Sequence, residues 1–236
     1  MSDLADDALF EPANFAGKAR LFPLPNLVLF PHVLQPLHVF EARYRELVEE
    51  ALAGDRLIAM ALLAPGWEAD YEGRPPLYPT ACLGRIVTHH RLEDGRFNLL
   101  LAGLQRLRLV RELAPEKSFR EAEAALCPDE YSTLGAAART MLRRRLLKAF
   151  RFLAGNSADS QNQLEPLLSG EVPLGMLTDL AAYTLDLSLT AKQQLLEEVD
   201  VDRRAELLLA SLSNRTKRPE SSDRAAAAFP PGFSAN

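Results

Sequence analysis

The side chains best suited to nucleophilic, acid–base or metal chemistry are few in this sequence. They are four histidines and two cysteines: His32, His38, His89, His90, Cys82 and Cys127. His89 and His90 are adjacent on a predicted strand, so they point to opposite faces and cannot both ligate one metal ion. The two cysteines are too few and too isolated for a zinc site or a disulfide framework, which fits a reducing compartment. The spacing therefore predicts no metal site.

Motifs for phosphate binding and serine catalysis are missing from the sequence. A phosphate-cradling loop needs clustered glycines followed by Gly-Lys-Ser/Thr, but Gly17-Lys18 is followed by Ala19, and Pro12 stands where the first glycine should be. No Gly-x-Ser-x-Gly nucleophile elbow occurs. We therefore expect no cofactor and no enzymatic activity. A small-molecule hydrolase that uses His89 or Cys82 stays open as an alternative, and it would need a deep polar pocket around those side chains.

A predicted long helix carries an unusual concentration of positive charge. Its basic residues are Arg139, Arg143, Arg144, Arg145, Lys148 and Arg151, and no acidic residue occurs from Tyr131 to Ala158. Such a basic patch could bind RNA, which is a second alternative function. However, the chain has a net charge of -5, and the basic positions surround much of the helix without exposed aromatic residues between them. We therefore favour a solvated helix face that pairs with acidic neighbours.

The segment from Ala64 to Thr80 combines many chain-breaking residues with three large aromatic side chains. Its prolines and glycines argue against regular structure, and it holds Trp67, Tyr71 and Tyr78. These rings could fold back and seal the mouth of a barrel, because long loops usually bury their own side chains. They could instead contact a partner polypeptide, since aromatic residues dominate binding hot spots. The sequence leaves both interpretations open and makes these three residues the candidates for peptide contact.

Composition and length are ordinary for a globular chain of 236 residues, with 47% hydrophobic and 25% charged residues. No apolar run is long enough to span a bilayer, and the acidic N-terminus is unlike a signal peptide. The sequence therefore predicts a cytoplasmic protein without a membrane partner.

The elements that would position these side chains begin with the stretch from Leu21 to Leu52. Four prolines in it mark strand starts, edges or bends, because proline lacks a backbone N–H: Pro23, Pro25, Pro31 and Pro36. The apolar runs Leu27–Phe30 and Leu37–Phe40 predict two short strands. Apolar residues at three- and four-residue intervals then predict a helix from Glu41 to Ala53, which Gly54 ends.

Five later segments have strand patterns: Leu57–Leu63, Cys82–Leu92, Arg96–Ala102, Gln105–Arg111 and Phe119–Leu126. The first is continuously apolar, which predicts a central strand buried on both faces. Asp94-Gly95 lies between the second and third, and this pair is typical of a tight hairpin turn. We expect six to eight short strands in a curled, partly closed antiparallel sheet.

Near Tyr131 the pattern changes to helical spacing. Helices are predicted from a cap at Ser132 or Thr133 to Gly155, then over 161–168, 172–187, 191–199 after Thr190 and 201–213 after Asp200. The predicted fold class is α+β, a β-rich pseudobarrel followed by an α-helical bundle. We expect a flexible arm over 1–18, the pseudobarrel with one helix over 19–127, a helical subdomain over 128–215 and a disordered tail over 216–236.

Several motifs in this chain resemble the Lon N-terminal domain, which precedes the ATPase in Lon proteases and also occurs in small stand-alone bacterial proteins. The opening of that domain is similar to Phe30-Pro31, Pro36-Leu37 and Phe40-Glu41 with Arg43-Tyr44. Its second half resembles 84–87, 94–96 and 102–104, and its helical end resembles 192–193, 195–196 and 200–201. The resemblance covers about residues 19 to 215.

This resemblance implies a PUA-like pseudobarrel with a helical bundle and a substrate-recognition role without catalytic residues. The motif residues are expected mainly to build the fold: Phe30, Pro31, Pro36, Leu37, Phe40, Glu41, Arg43 and Tyr44. The ATPase and the Ser-Lys protease of Lon belong to other domains. We therefore expect a non-catalytic polypeptide-binding module, an adaptor in protein quality control. Its expected partners are unfolded or regulatory polypeptides and a protease or ATPase on another chain, and not nucleic acid or membranes.

Overall fold

A computed structural model describes residues 10–132, 135–154 and 172–216. Its six strands are β1 (Lys18–Leu24), β2 (Leu34–Val39), β3 (Leu57–Leu62), β4 (Thr80–Arg91), β5 (Phe97–Glu112) and β6 (Arg120–Cys127). Its five α-helices are α1 (Ala42–Ala53), α2 (Ala136–Ala154), α3 (Leu174–Thr184), α4 (Leu189–Glu197) and α5 (Val201–Thr216). Short 3-10 turns lie at Pro12–Asn14 and Trp67–Asp70.

The strands form a closed barrel. The order across the sheet is β2-β5-β4-β3-β1-β6, and β5 also pairs with β6, so five strands close on themselves while β2 lies at the edge. The predicted α+β pseudobarrel followed by helices is thereby confirmed. The sheet is mixed, not antiparallel as expected, because β1 runs parallel to β3. Parallel strands need a connection that crosses from the end of one strand to the start of the next. Helix α1 is part of this connection between β1 and β3.

The predicted strand at Leu27–Phe30 is wrong, and strand β1 was missed. Residues 28 to 30 are buried but irregular. The chain that follows them is held to β5 by two backbone hydrogen bonds of Gly103. The N–H of His32 donates to the carbonyl of Gly103, and the N–H of Gly103 donates to Val33, both at 2.8 Å. A Cβ at position 103 would lie 2.0 Å from the carbonyl oxygen of Phe30, so only glycine permits this approach.

Both prolines within strands occupy places where a missing N–H costs little. Pairing of β1 with β6 ends at Leu21, before Pro23, so this proline has a strand neighbour on one side only. Pro36 lies on β2, which pairs only with β5 among the described strands. The sequence-based expectation that proline marks strand edges is therefore confirmed at both positions.

The central strand and the hairpin also follow the predictions. All six residues of β3 are buried between β1 and β4. Strands β4 and β5 form the predicted hairpin, and Gly95 in its turn has a φ of 82°, which glycine adopts readily. The two strands expected over 96–102 and 105–111 are one continuous strand, because β5 pairs along its length with β4 and then with β6.

Helix α1 begins after Glu41 and ends at Gly54, as the spacing predicts. Its inner face places Tyr44, Leu47 and Val48 in the core, and burial of each such apolar side chain contributes about 1.5–3 kcal/mol. The hydroxyl of Tyr44 donates to the carbonyl of Pro23 at 3.1 Å. This bond joins the start of the helix to β1.

Helices α2 to α5 follow the barrel. Asp200 caps α5 by accepting from the N–H groups of Asp202 and Arg203, as predicted. Ser188, and not Thr190, caps α4 through the N–H of Ala191. Helix α2 begins at Ala136, too far along the chain for Ser132 to be its cap, and Thr133, the other predicted cap, lies outside the described residues. The predicted helix over 161–168, the first half of the predicted arm and nearly all of the predicted tail lie outside the described residues.

One cluster of buried apolar side chains extends from the barrel into α2 to α5, and a smaller cluster fills the barrel interior. The separation at residue 127 into two subdomains therefore stays a prediction, since both parts share this core. Among the described helices, none is long and apolar enough to cross a membrane.

Candidate functional site

A cleft of about 310 Å³ opens beside the N-terminal end of α1. Its walls come from α1, from the loop that joins β3 to β4 and from the loop that joins β5 to β6. Four basic side chains line it, together with one acid and several apolar groups: Arg43, Arg74, Lys117 and Arg120, then Glu72, then Pro23, Tyr44, Pro115 and Phe119. The cleft thus combines an apolar floor with many N–H donors.

Arg43 is held in one position at the rim of this cleft. Its Nε and Nη2 donate to Oε2 of Glu41 at 3.0 and 2.8 Å, and its Nη1 donates to the carbonyl of Tyr71 at 3.4 Å. The guanidinium carbon lies 4.9 Å from the ring centre of Tyr44 and 5.0 Å from that of Tyr71. Burial alone would lower the pKa of Arg43, but Tyr44 and Glu41 outweigh it and raise the pKa. Arg43 is therefore a fixed, permanent cation.

The aromatic loop folds against the protein. The hydroxyl of Tyr71 donates to Oε1 of Glu41 at 2.9 Å, and its ring lies edge-on to Trp67 at 5.6 Å between ring centres. Burial and the bond to Glu41 raise the pKa of Tyr71. Tyr78 packs against the main core. None of these three predicted peptide-contact residues lines the cleft. Tyr71 nevertheless positions Arg43, and Arg43 does line the cleft.

Arg120 and Arg74, which also line the cleft, share one carboxylate. Arg120 binds Glu112 through two parallel hydrogen bonds, of which Nε to Oε2 measures 2.9 Å, and its Nη1 donates to the carbonyl of Pro75 at 2.8 Å. Arg74 donates through Nη1 to the carbonyl of Leu113 at 3.0 Å and lies 3.8 Å from Glu112. Neither guanidinium can move far without losing these bonds.

Lys117 completes the basic lining. Its ammonium donates to Glu50 at 2.5 Å and to Glu121 at 3.3 Å, and it lies 5.2 Å from the ring centre of Phe119. The bond to Glu50 raises the pKa of Lys117. Burial would raise the pKa of Glu50, but Lys117 and Arg20 together lower it. This corner of the cleft is a network of charges and not an isolated lysine.

The other motif residues lie mainly in the fold. Phe30 and Pro31 are buried, and Leu37 is half-buried. Pro36 is exposed on the edge strand. Phe40 is also exposed and stacks on His38 at 6.1 Å between ring centres. Glu41, Arg43 and Tyr44 are the motif residues that build the cleft wall or support it.

The basic residues of α2 do not form one uniform surface. Arg139 bonds to the buried Asp202 at 3.1 Å and to the carbonyl of Ser132, so it holds α2 against α5. Arg143 is half-buried, whereas Arg144, Arg145 and Lys148 are exposed. The side chain of Arg151 lies outside the described residues.

The structure does not bring the predicted catalytic alternatives together. Cys82 is fully buried in the core, and burial raises the pKa of its thiol. His89 and His90 are both exposed near the end of β4, and neither lines the cleft. In the described part of the chain, no group of three or more His, Cys, Asp and Glu side chains could hold a metal ion. A hydrolase that uses His89 or Cys82 receives no support from this geometry.

A second charged cluster, which the sequence did not reveal, lies where the helices meet the barrel. Arg106 on β5 binds both oxygens of Asp179 on α3, at 2.5 and 3.1 Å, and donates to the carbonyl of Leu196 at 2.9 Å. Arg204 on α5 binds both oxygens of Asp129, at 3.0 and 2.8 Å. Arg106 also reaches Asp129 at 3.3 Å. We call these four charged residues the junction network.

Close packing surrounds the junction network. Arg204 also donates to Thr178 at 3.2 Å and to the carbonyl of Glu198 at 2.8 Å. A Cβ at Gly175 would lie 2.2 Å from an oxygen of Asp129, so glycine gives the network its space. The sequence contains one signal for this cluster that sequence reasoning missed, namely Asp179 as the single acid in the apolar helix α3. A buried carboxylate needs a cationic partner.

Comparison with known proteins places this fold and sequence among Lon-related proteins. A sequence model of the family described as ATP-dependent protease La (LON) substrate-binding domain matches residues 18–214. Lon protease 2 of Syntrophobacter fumaroxidans is 27% identical over 192 residues, which are 81% of this chain and 24% of that protein. Lon protease 2 of Herpetosiphon aurantiacus is 29% identical over 213 residues, 89% of this chain and 26% of that protein. The chain spans about a quarter of the length of these curated relatives.

Two solved structures share the architecture. A Lon N-terminal domain protein from Xanthomonas campestris is 26% identical, with a TM-score of 0.56 over 82% of this chain and 97% of that one. The N-terminal domain of Mycobacterium avium complex Lon protease is 17% identical, with a TM-score of 0.65 over 84% of this chain and 98% of that one. The second likeness is one of fold alone.

Proposed function

Because the chain belongs to the LON substrate-binding domain family, we propose that it is a non-catalytic module that binds polypeptides. The observation that carries this proposal is the family match over residues 18–214, which includes the barrel and all the described helices except the last residues of α5. The family description names substrate binding. A protease that acts on proteins has polypeptides as its substrates, so a polypeptide is the ligand class to test first.

The cleft beside α1 is the binding site in this proposal. A polypeptide in extended form presents carbonyl oxygens along its backbone and side chains on alternate sides. The basic lining of the cleft supplies N–H donors for such oxygens. The exposed Pro115 supplies apolar surface for a side chain, since the lining residues Tyr44 and Phe119 are buried. This combination of a few polar anchors with an apolar floor is typical of ligand sites in proteins.

The chemistry of the cleft supports binding without catalysis. A nucleophile needs a neighbouring base to remove its proton. The one hydroxyl of a serine in the lining, that of Ser118, donates to Glu46 at 2.5 Å, and the lining holds no histidine or cysteine. A bound peptide would therefore meet donors that hold it and no activated group that attacks it.

The module then serves as an adaptor in protein quality control. Its ligands would be unfolded or regulatory polypeptides in the cytoplasm, and a protease or ATPase on another chain would act on them. Binding to an unfolded chain orders a flexible ligand, so affinity for any one segment should be moderate.

The proposal can be tested with one model protein in two states. The purified protein is titrated with a labelled, reduced and alkylated model protein and, separately, with the native form of the same protein. We expect saturable binding of the unfolded form and none of the native form, measured by fluorescence anisotropy. A peptide array of apolar segments extends the test to short sequences. Absence of binding to the unfolded protein and to the whole array would refute the proposed function.

A further inference from the structure

We propose that the cleft recognises a carboxylate on the bound polypeptide, either its C-terminal carboxylate or the side chain of an aspartate or glutamate. This inference rests on the proposed function and adds the chemistry that selects the ligand. It follows from the number of N–H groups that the structural partners of the cleft arginines leave unused.

Arg43 has donors that its structural partners do not use. A guanidinium carries five N–H groups in a planar fork. Three hydrogen bonds hold Arg43, two to Glu41 and one to Tyr71, which leaves two N–H groups on its terminal nitrogens. The ring centres of Tyr44 and Tyr71 lie 4.9 and 5.0 Å from its guanidinium carbon, and the remaining donors act in the plane of the fork. A planar acceptor with two oxygens matches that restriction.

Arg120, a second lining residue, repeats this arrangement. Glu112 takes two of its donors and the carbonyl of Pro75 takes a third, again leaving two N–H groups. Its side chain is nearly buried, and Arg74 adds a more exposed guanidinium beside the same Glu112. The acids that hold these cations, Glu41 and Glu112, are not among the lining residues. The lining of the cleft therefore contains the donors of these arginines and not the carboxylates that hold them.

The charge around the cleft favours a carboxylate over a more highly charged anion. Glu41, Glu112 and Glu50 already neutralise most of the positive charge of the arginines and Lys117. A group with a single charge and two oxygens gains two charge-assisted hydrogen bonds from a fixed fork. A doubly charged phosphate would also meet repulsion from these acids and from Glu72 in the lining.

Three versions of one short labelled peptide test the inference. The peptide is rich in leucine and phenylalanine and carries either a free C-terminal carboxylate, a C-terminal amide, or a C-terminal amide with one internal glutamate. We expect the free-carboxylate or the glutamate version to bind at least about tenfold more tightly than the neutral amide, as expected for a bidentate pair. Which of the two does so identifies the source of the carboxylate.

Two substitutions locate the recognition in the cleft. Arg74→Gln removes the most exposed cleft guanidinium, and Arg43→Gln removes the stacked one. Each should reduce the carboxylate preference to about twofold or less. A difference of that size is no larger than the effect of an ordinary surface substitution. Arg111→Gln is the matched control, because Arg111 is an exposed arginine that does not line the cleft. Thermal unfolding of each variant shows whether it is folded.

The outcomes separate this inference from the proposed function. Equal binding of all three peptides, or a preference that survives both Arg74→Gln and Arg43→Gln, overturns carboxylate recognition. Binding of the unfolded model protein with no peptide bound also overturns it and leaves the proposed function standing. If the unfolded model protein is not bound either, the proposed function fails, and this inference fails with it.

Discussion

The junction network and the cleft are built from the same parts and differ in their access to water. Each contains two arginines that bind a carboxylate through two hydrogen bonds, Arg106 and Arg204 in the junction network and Arg43 and Arg120 in the cleft. In the junction network the side chains of Arg106, Arg204 and Asp179 are 2%, 0% and 0% exposed, and that of Asp129 is 26% exposed. In the cleft those of Arg43 and Arg120 are 19% and 10% exposed. The junction network thus encloses both of its arginines and Asp179, whereas both cleft arginines remain partly exposed.

This difference separates a structural role from a binding role. In the junction network, backbone carbonyls and Thr178 take donors that the two aspartates leave, so four hydrogen bonds hold each of Arg106 and Arg204. In the cleft, three hydrogen bonds hold each of Arg43 and Arg120. Burial raises the cost of any charge that loses its partner. In the cleft, water can replace a lost partner, and a ligand can replace water. Four substitutions test this contrast, from the largest expected effect to the smallest.

Asp179→Ala should have the largest effect. It removes the carboxylate that binds Arg106 through two hydrogen bonds. The nearly buried guanidinium of Arg106 then has only Asp129 as a negatively charged partner in the junction network. We expect the free energy of unfolding to fall by about 3–5 kcal/mol, measured by urea denaturation. The control is Glu123→Ala, which breaks an exposed pair with Arg111 and should cost about 0–1 kcal/mol. Equal effects of the two substitutions would contradict an enclosed junction.

Gly175→Ala tests the packing of the junction network without removing a charge. The new methyl group would lie 2.2 Å from Asp129 and 3.2 Å from Arg204, so one of them must move. We expect a loss of about 1–3 kcal/mol in the free energy of unfolding, despite the better helix propensity of alanine. At Gly135 a Cβ meets nothing within 4 Å, so Gly135→Ala should change stability by less than about 0.5 kcal/mol. If Gly175→Ala leaves the free energy of unfolding unchanged, the junction network has space for an added methyl group and the packing argument is wrong.

Glu41→Ala is the cleft counterpart of Asp179→Ala. Arg43 and Tyr71 both lose a bond to this carboxylate, but water can reach them. The expected loss in the free energy of unfolding is about 1–2 kcal/mol, smaller than in the junction network. Glu41 makes no side-chain capping bond, so the start of α1 should be unaffected in circular dichroism. The control is the exposed Glu68→Ala. If Glu41→Ala lowers the free energy of unfolding as much as Asp179→Ala does, the proposed difference between the cleft and the junction network is wrong.

Glu50 should give the smallest effect, a loss of stability at neutral pH that disappears in acid. Its folded-state pKa lies below the ordinary value of 4.5, so its ionised form stabilises the fold fully above that pH. This contribution is lost as the pH falls through the lower folded-state pKa. Glu50→Gln should therefore flatten the decline in stability below about pH 4.5, followed by urea denaturation at several pH values. Glu49→Gln, on the same helix, controls for the loss of one acid, and an unchanged decline in Glu50→Gln would disprove this role.

Much of the fold could be predicted because its signals are local. The spacing in α1, the Asp94-Gly95 turn and the apolar run of β3 each reflect a backbone preference within a few residues. Leu27–Phe30 misled the prediction because its apolar residues serve the core without pairing as a strand. The candidate site was predicted only in part, since the motif residues Arg43 and Tyr44 line the cleft but Trp67 and Tyr78 do not.

By itself the sequence determined the order of elements, the family and the absence of a catalytic motif, because these depend on residue types and their spacing. Only the tertiary structure decided which arginines are enclosed and which have donors left for a ligand. Arg106 lies 73 residues from Asp179, and Arg120 lies 45 residues from the carbonyl of Pro75. Such partners meet only when the barrel closes and the helices pack, and the burial created at that moment sets the role of each charge.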